Sequence, residues 1–203
     1  MIGAVFALGA LGNDDGLYAA AFRRLTSELS QERSTEAGGR VVDILDRFGA
    51  AAVSLVERHF APYDDVAETL SHLRELQIPC AILSDGWSGV DRRKAEAVRF
   101  HGRILFGEDL PGGTGRSVSA FAALAAAMGL PADRLWFVGA DPRRDIAPAR
   151  AAGLCTVWLN RSAESYPRDV APPDHTIARL QQFLDLLSGP YTQWALALRE
   201  IFG

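Results

Sequence analysis

The sequence predicts an α/β fold, a doubly wound parallel sheet with a helical insertion after its first strand. Three observations lead there. Short, continuous apolar runs alternate with helical stretches, the pattern of strands buried on both faces. The first two runs, at 2–8 and 80–83, lie much further apart than one crossover helix requires. The 203 residues also suffice for one domain with a sizeable insertion and a proper core.

Residues 2–8 form the first apolar run and predict a buried strand. Residues 17–59 are helical in pattern, with Leu25, Leu29, Val41, Leu45, Phe48 and Leu55 at apolar positions. Glycines 38, 39 and 49 are expected to divide that stretch into three helices. Pro62 and the two acids after Tyr63 open a further helix through Leu76, with Val66, Leu70, Leu73 and Leu76 on one face. Pro79 ends it, and 80–83 is the second strand. A helix over 90–99 and a strand over 103–106 follow. Ser117 is placed to cap an alanine-rich helix that stops at Gly129. The fourth strand is 135–138, then a helix over 144–152 stopped by Gly153, then a fifth strand over 154–159. After a polar, proline-rich loop over 160–174, residues 175–177 read as a sixth, edge strand, with helices at 178–187 and 191–201. The division expected is 1–13 with 63–203 as the α/β core and 14–62 as the inserted helical cap.

Composition narrows the partners. The chain is 48% hydrophobic and 23% charged, ordinary globular proportions, with a net charge of −4. The interspersed signs argue against a nucleic-acid stripe or a polybasic membrane patch. No apolar run approaches the ~18 residues of a membrane span, and the apolar start carries no basic leader, so no signal peptide is read. Cys80 and Cys155 sit inside strand-like runs, as buried, reduced thiols of a cytoplasmic protein would. Of 21 basic residues Lys94 is the sole lysine, which leaves little room for a catalytic one.

In such sheets ligands bind beyond the carboxyl ends of the strands, which selects 7–13, 84–88, 107–117, 139–145 and Asn160. These segments carry motifs. Phe6-Ala-Leu-Gly-Ala-Leu-Gly-Asn-Asp-Asp-Gly-Leu-Tyr is similar to a strand end of the form Phe-Asp-x-Asp-Gly-Thr/Val-Leu. Ile82-Leu-Ser-Asp-Gly-Trp is a strand ending in Ser. Val138-Gly-Ala-Asp-Pro-Arg-Arg-Asp-Ile, followed by Ala149-Arg-Ala-Ala-Gly-Leu, is the most specific, because its spacing holds through Gly153. Together they resemble the first, second and fourth motifs of the haloacid dehalogenase-like (HAD) hydrolase superfamily, in its subgroup with a helical cap after the first strand. The resemblance spans residues 2 to about 187 and implies a HAD-like Rossmannoid core.

What it implies about chemistry is specific. An Asp at the end of strand one attacks phosphorus, or a carbon bearing halide. An Asp two residues later serves as acid and base. Mg²⁺ held by carboxylates of the first and fourth motifs offsets phosphate charge, and a Lys or Arg of the third motif adds a fixed cation. The gapless match puts Ala7 at the nucleophile, Gly9 at the acid/base and Ala140 at the first acid of the fourth motif, with Asp145 at the second. In the third-motif stretch Arg116 is the nearby cation. No catalytic residue and no metal ligand are therefore assigned, and Mg²⁺, expected of the family, is expected to be absent. The candidate ligand-binding residues are Ser84, Asp85, Arg116, Asp141 and Asp145.

Other readings are weaker. A slipped register would put Asn13 at the nucleophile, but Gly9 to Gly12 leave no strand directly ahead of it. Asp14 and Asp15 read instead as a cap and first-turn acid of the cap helix. The stretch 107–117 nearly imitates a phosphate loop, with Leu110 where a glycine belongs, and 86–90 nearly imitates a nucleophile elbow, with Val90 in the last place. Ser84 either binds an anion or caps Asp85 and Gly86. His59, His72, His101 and His175 show no ligand spacing, and Trp87, Trp136, Trp158 and Trp194 read as packing residues. The function expected is a HAD-like hydrolase homologue acting as a non-catalytic binding or regulatory scaffold. The alternative is an active phosphatase or dehalogenase with a non-standard residue set. The partners expected are a small anion or phosphate-bearing ligand and a homodimer mate or other protein. Helix 191–201, with Trp194 and Leu198 near one face, is a candidate docking element.

Overall fold

The computed structural model describes residues 1–31, 41–84, 86–109 and 116–188. Six parallel strands form its core: β1 (Gly3–Ala7), β4 (Cys80–Ser84), β5 (Arg103–Phe106), β6 (Leu135–Gly139), β7 (Cys155–Leu159) and β8 (His175–Ile177). Their spatial order is β5-β4-β1-β6-β7-β8, so β1 lies centrally, flanked by β4 and β6. Every residue of β1 is buried, as a central strand covered on both faces requires. The chain runs outward to β5, returns across β1 to β6 and then winds the other way. The crevice at that reversal lies beyond Ala7, where the topology directs a ligand.

Helices cover both faces: α3 (Val66–Glu75), α4 (Ser88–Ala97), α5 (Val118–Met128), α6 (Ala147–Ala151) and α7 (Gln182–Leu187). Phe183 of α7 meets Phe6 edge-on at 5.9 Å, and Phe121 of α5 meets Phe137 of β6 at 4.7 Å. Each buried aromatic side chain contributes on the order of 2–3 kcal/mol of transfer free energy. Ser117 caps α5 as expected, its hydroxyl accepting from the Ala120 N–H at 3.1 Å, and Gly129 ends that helix at φ 66°. Gly153 ends α6 in the same left-handed conformation, φ 84°.

The insertion after β1 carries α1 (Leu17–Gln31) and α2 (Val41–His59), which pack on each other, with α2 also against α4. Leu17, Ala21 and Leu25, spaced four apart, give α1 its buried stripe. Two two-residue strands, β2 (Gly12–Asn13) and β3 (Ala61–Pro62), pair antiparallel and tie the ends of the insertion together. They were not expected, being too short to show a period.

Three expectations need correction. Gly49 does not break the second half of the 17–59 stretch, and α2 runs through it; a Cβ there would meet the Trp87 ring at 3.2 Å, so the glycine serves close packing. Glycines 38 and 39 lie outside the described residues. The helix expected over 144–152 is one π-type turn, Pro142–Ile146, followed by α6. The helix expected from residue 178 starts at Gln182, because the Gln182 side chain accepts from the Ala178 and Arg179 N–H groups and holds them outside it. Helix 191–201 and Trp194 lie outside the described residues.

Candidate functional site

Beyond β1, β4 and β6 lies a cavity of about 410 Å³. Ala7 and Gly9 line it from the β1 side, Ser84 from the end of β4, Arg116 from the start of α5, and Ala140, Asp141 and Asp145 from the end of β6. Four of the five expected ligand-binding residues thus converge; Asp85 lies outside the described residues.

Asp145 is the best-held group. A Cβ on Gly139 would lie 2.5 Å from the Asp145 Cβ, so only glycine at the end of β6 admits this carboxylate so close. Its Oδ2 accepts from the backbone N–H of Ala140 at 2.9 Å and of Asp141 at 3.1 Å, and its Oδ1 accepts from the Arg116 guanidinium. Both partners of that pair are largely buried, with side chains 10% and 3% exposed. Asp141 caps the turn that follows, its Oδ1 accepting from the N–H groups of Arg143 at 2.8 Å and Arg144 at 2.9 Å. Arg143 pairs outward with Asp169, in the 160–174 loop, at 2.7 Å, so its ion pair ties two loops together.

A second pair closes the other side. Ser84 Oγ donates to Asp91 Oδ2, while Asp91 Oδ1 lies 3.6 Å from Lys94 Nζ one turn along α4. Lys94 Nζ donates to Asp14 Oδ2, bridging α4 to the loop after β1, and lies 5.3 Å from the centre of the Tyr18 ring. Burial pushes the Lys94 ammonium down, but the Asp14 hydrogen bond and the charges of Tyr18, Asp91 and Asp14 outweigh it and hold it above the usual lysine range. Burial pushes the Tyr18 phenol up.

Arg144, within the selected segment 139–145, also lines the cavity, as do Asp91, Lys94 and Tyr18, which sequence reasoning missed. Asp91 and Lys94 give one signal, an acid and a base three apart on a helix whose buried face is otherwise apolar. Asp14 is not the helix cap expected of it, because its carboxylate is drawn to Lys94; the Asp15 carboxylate accepts instead from Asn13 Nδ2 at 2.9 Å. Ser84 Oγ, besides donating to Asp91, accepts from the Gly86 N–H at 3.4 Å, the contact expected of it as a cap.

The cavity is close to self-neutral, with Asp14, Asp91, Asp141 and Asp145 against Lys94, Arg116 and Arg144. Each of these carboxylates already accepts from a cation, a hydroxyl or backbone N–H groups. The residues do not fit Mg²⁺, which demands six oxygens in near-octahedral array and usually one or two carboxylates free to turn towards it. Methyl groups stand at Ala7 and Ala140, Gly9 has no side chain, and Asp145 is committed to three donors. Among the described residues no group of three or more His, Cys, Asp or Glu is placed to hold a metal.

Comparison with known proteins agrees with this architecture. A 2-haloacid dehalogenase from Pseudomonas syringae pv. tomato superposes with a TM-score of 0.74 at 18% identity, over 93% of this chain and 99% of its own. A HAD phosphatase from Thermococcus onnurineus gives 0.69 at 17%, over 93% and 99%. CbbY from Rhodobacter sphaeroides, in complex with phosphate, gives 0.71 at 17%, over 90% and 96%. At these identities the likeness is one of fold. No curated protein matches. The model of the haloacid dehalogenase-like hydrolases matches residues 5–153, most of the chain, and includes the three strand ends that build the cavity. By that match the chain belongs to the haloacid dehalogenase-like hydrolases, as a degenerate member with Ala7, Gly9 and Ala140 where the family's motifs place carboxylates.

Proposed function

We propose that this protein is a non-catalytic member of its family, a binding or regulatory scaffold whose former reaction site is closed by its own ion pairs. The observation that carries this reading is the state of Asp145. The one fourth-motif acid that remains is neutralised by Arg116 and two backbone N–H groups, the place a metal would otherwise take, while β1 presents a methyl group at Ala7. A carboxylate nucleophile and a positioned acid/base are what the family's chemistry requires, and neither Ala7 nor Gly9 supplies one.

The ligand we assign to this cavity is a small phosphate-bearing anion, reached by Lys94, Arg116 and Arg144. An anion gains there chiefly by exchanging for Asp91 or Asp145 in an existing pair, so it is held weakly. The cytoplasmic assignment is supported by Cys80 and Cys155, two free thiols whose titration burial pushes up to about 12.

The test is an assay of p-nitrophenyl phosphate and sugar phosphates with and without millimolar Mg²⁺, run beside a phosphate titration followed on backbone amides. No turnover above the buffer rate, with small amide shifts around Ser84 and Gly139, is the expected result. Mg²⁺-dependent turnover that disappears in Asp145→Asn or Asp14→Asn would show the chain to be a working hydrolase with an unusual residue set.

A further inference from the structure

A second cavity, of about 670 Å³, opens at the opposite end of the sheet, under the starts of β4 and β5. Its volume falls in the range that takes small organic ligands. Leu70, Ile78, Val98, Phe100 and Met128 give it an apolar lining. Arg74, Arg99 and Arg103 stand on the same wall with His101, and no Asp or Glu lines it. Arg103 Nη1 donates to the Ala127 carbonyl at 2.6 Å and Arg74 Nη2 lies 3.4 Å from Ser71 Oγ, both neutral acceptors. Among the described residues no carboxylate pairs with Arg74, Arg99 or Arg103, whereas Arg116, one of the two arginines lining the first cavity, is bound to Asp145. Three uncompensated guanidinium groups over an apolar floor, in a chain of net charge −4, are a local reversal of the molecule's charge.

The backbone is arranged to hold them there. Helices α3, α4 and α5 all end at this cavity, each through a residue in the left-handed region: Gln77 at φ 55°, Arg99 at φ 52° and Gly129 at φ 66°. Glycine is the residue suited to that conformation. At Arg99 a long cationic side chain is kept on the cavity wall despite it. Gly102 lets the following loop close onto Cys80, since a Cβ there would strike the Cys80 carbonyl and come within 2.5 Å of the Phe100 ring. Three helix C-termini bring partial negative charge, which opposes an anion. Their closing hydrogen bonds consume it in part: Ile78 N–H to Leu73 O and Phe100 N–H to Ala95 O, both 2.9 Å, and Leu130 N–H to Ala125 O, 3.2 Å.

We propose that this cavity is a binding site for a small amphiphilic anion, a phosphate or carboxylate carried on an apolar chain or ring. The arginines take the head and the apolar lining takes the body. Guanidinium groups match such heads with paired N–H donors, and their stems add to the apolar wall.

The test uses the full chain and octyl phosphate below its micelle concentration, with backbone amide shifts as the readout. Shifts are expected at Ile78, His101 and Gly102, with inorganic phosphate binding about tenfold or more weakly and octyltrimethylammonium not binding there. Arg99→Gly, which suits the backbone, and Arg103→Gln each weaken octyl phosphate about tenfold. Binding of the cationic amphiphile with equal affinity, or an Arg99→Gly protein that binds as the parent does, overturns the proposal. So do shifts centred on Ser84 and Gly139 instead. Phosphatidylglycerol vesicles form the second arm: no co-sedimentation is expected, and co-sedimentation without any response to monomeric octyl phosphate overturns the pocket in favour of a membrane surface.

Discussion

The pairing of Arg116 with Asp145 sets whether the first cavity is closed, and its strength can be worked from the structure. Asp145→Ala removes the acceptor of three donors. Ala140 is exposed and Asp141 half-buried, so water can reach their N–H groups; the guanidinium of Arg116, a tenth exposed, is left facing the cavity without this partner. Breaking a buried pair from one side costs about 3–5 kcal/mol. Arg116→Met leaves Asp145 its two N–H donors and loses one charge-assisted hydrogen bond, about 1.5–3 kcal/mol. Removing both partners together strands neither charge and should cost about 1–3 kcal/mol, because a buried pair replaced by apolar groups is often near neutral. The double-mutant cycle therefore predicts a coupling of about 4 kcal/mol. Urea unfolding of the four proteins, followed by circular dichroism, measures it. A coupling below ~1 kcal/mol would refute the reasoning.

Three further outcomes are expected. Burial pushes the Asp65 carboxyl up, but the Arg161 hydrogen bonds at 2.8 and 3.1 Å, the Leu180 N–H at 2.6 Å and the Arg161 charge bring it below the usual range. The unfolded chain then binds the proton more readily, so this stability is present above about pH 4 and is lost as pH falls through the lower folded value; melting temperature against pH should fall less steeply there in Asp65→Asn than in the parent. Ser117→Ala should cost about 1 kcal/mol, some 2–4 °C in Tm, and speed hydrogen exchange at the Ala120 amide. Arg99→Gly should raise stability by about 1 kcal/mol in urea unfolding, through relief of its left-handed backbone.

The sheet was legible because each core strand is a continuous apolar run ended by a turn signal, and Ser117, Gly129 and Gly153 act at the positions their chemistry marks. The six core strands fall within a residue or two of their expected places. The paired strands β2 and β3 were not legible, since two residues carry no period and their pairing joins Gly12 to Pro62 across the insertion. Gly49 misled for a related reason: its neighbour is Trp87, distant in sequence, and local propensity cannot see it. At the site, Asp145 was found through motif spacing and Arg116 as the cation near the third-motif stretch. Lys94 was not, because its partner Asp14 lies 80 residues away and on its own each fits a solvated helix face or a cap.

The two ends of the sheet differ in how their charge is used, and that difference decides where a ligand can gain free energy. At the carboxyl ends, Arg116 and Lys94 are bound to Asp145, Asp14 and Asp91, so an incoming anion must replace a carboxylate already in place and its net gain is small. At the amino ends, Arg74, Arg99 and Arg103 have no such partner to give up among the described residues, and an amphiphile adds burial of its apolar body to the charge it brings. The absence of side-chain carboxylates at Ala7, Gly9 and Ala140 accounts for the first condition. Fewer like charges crowd the strand ends, so the remaining acids can be neutralised by arginine and lysine within the fold. Nothing in that rearrangement touches the starts of β4 and β5. The octyl phosphate titration separates the two ends by which amides move.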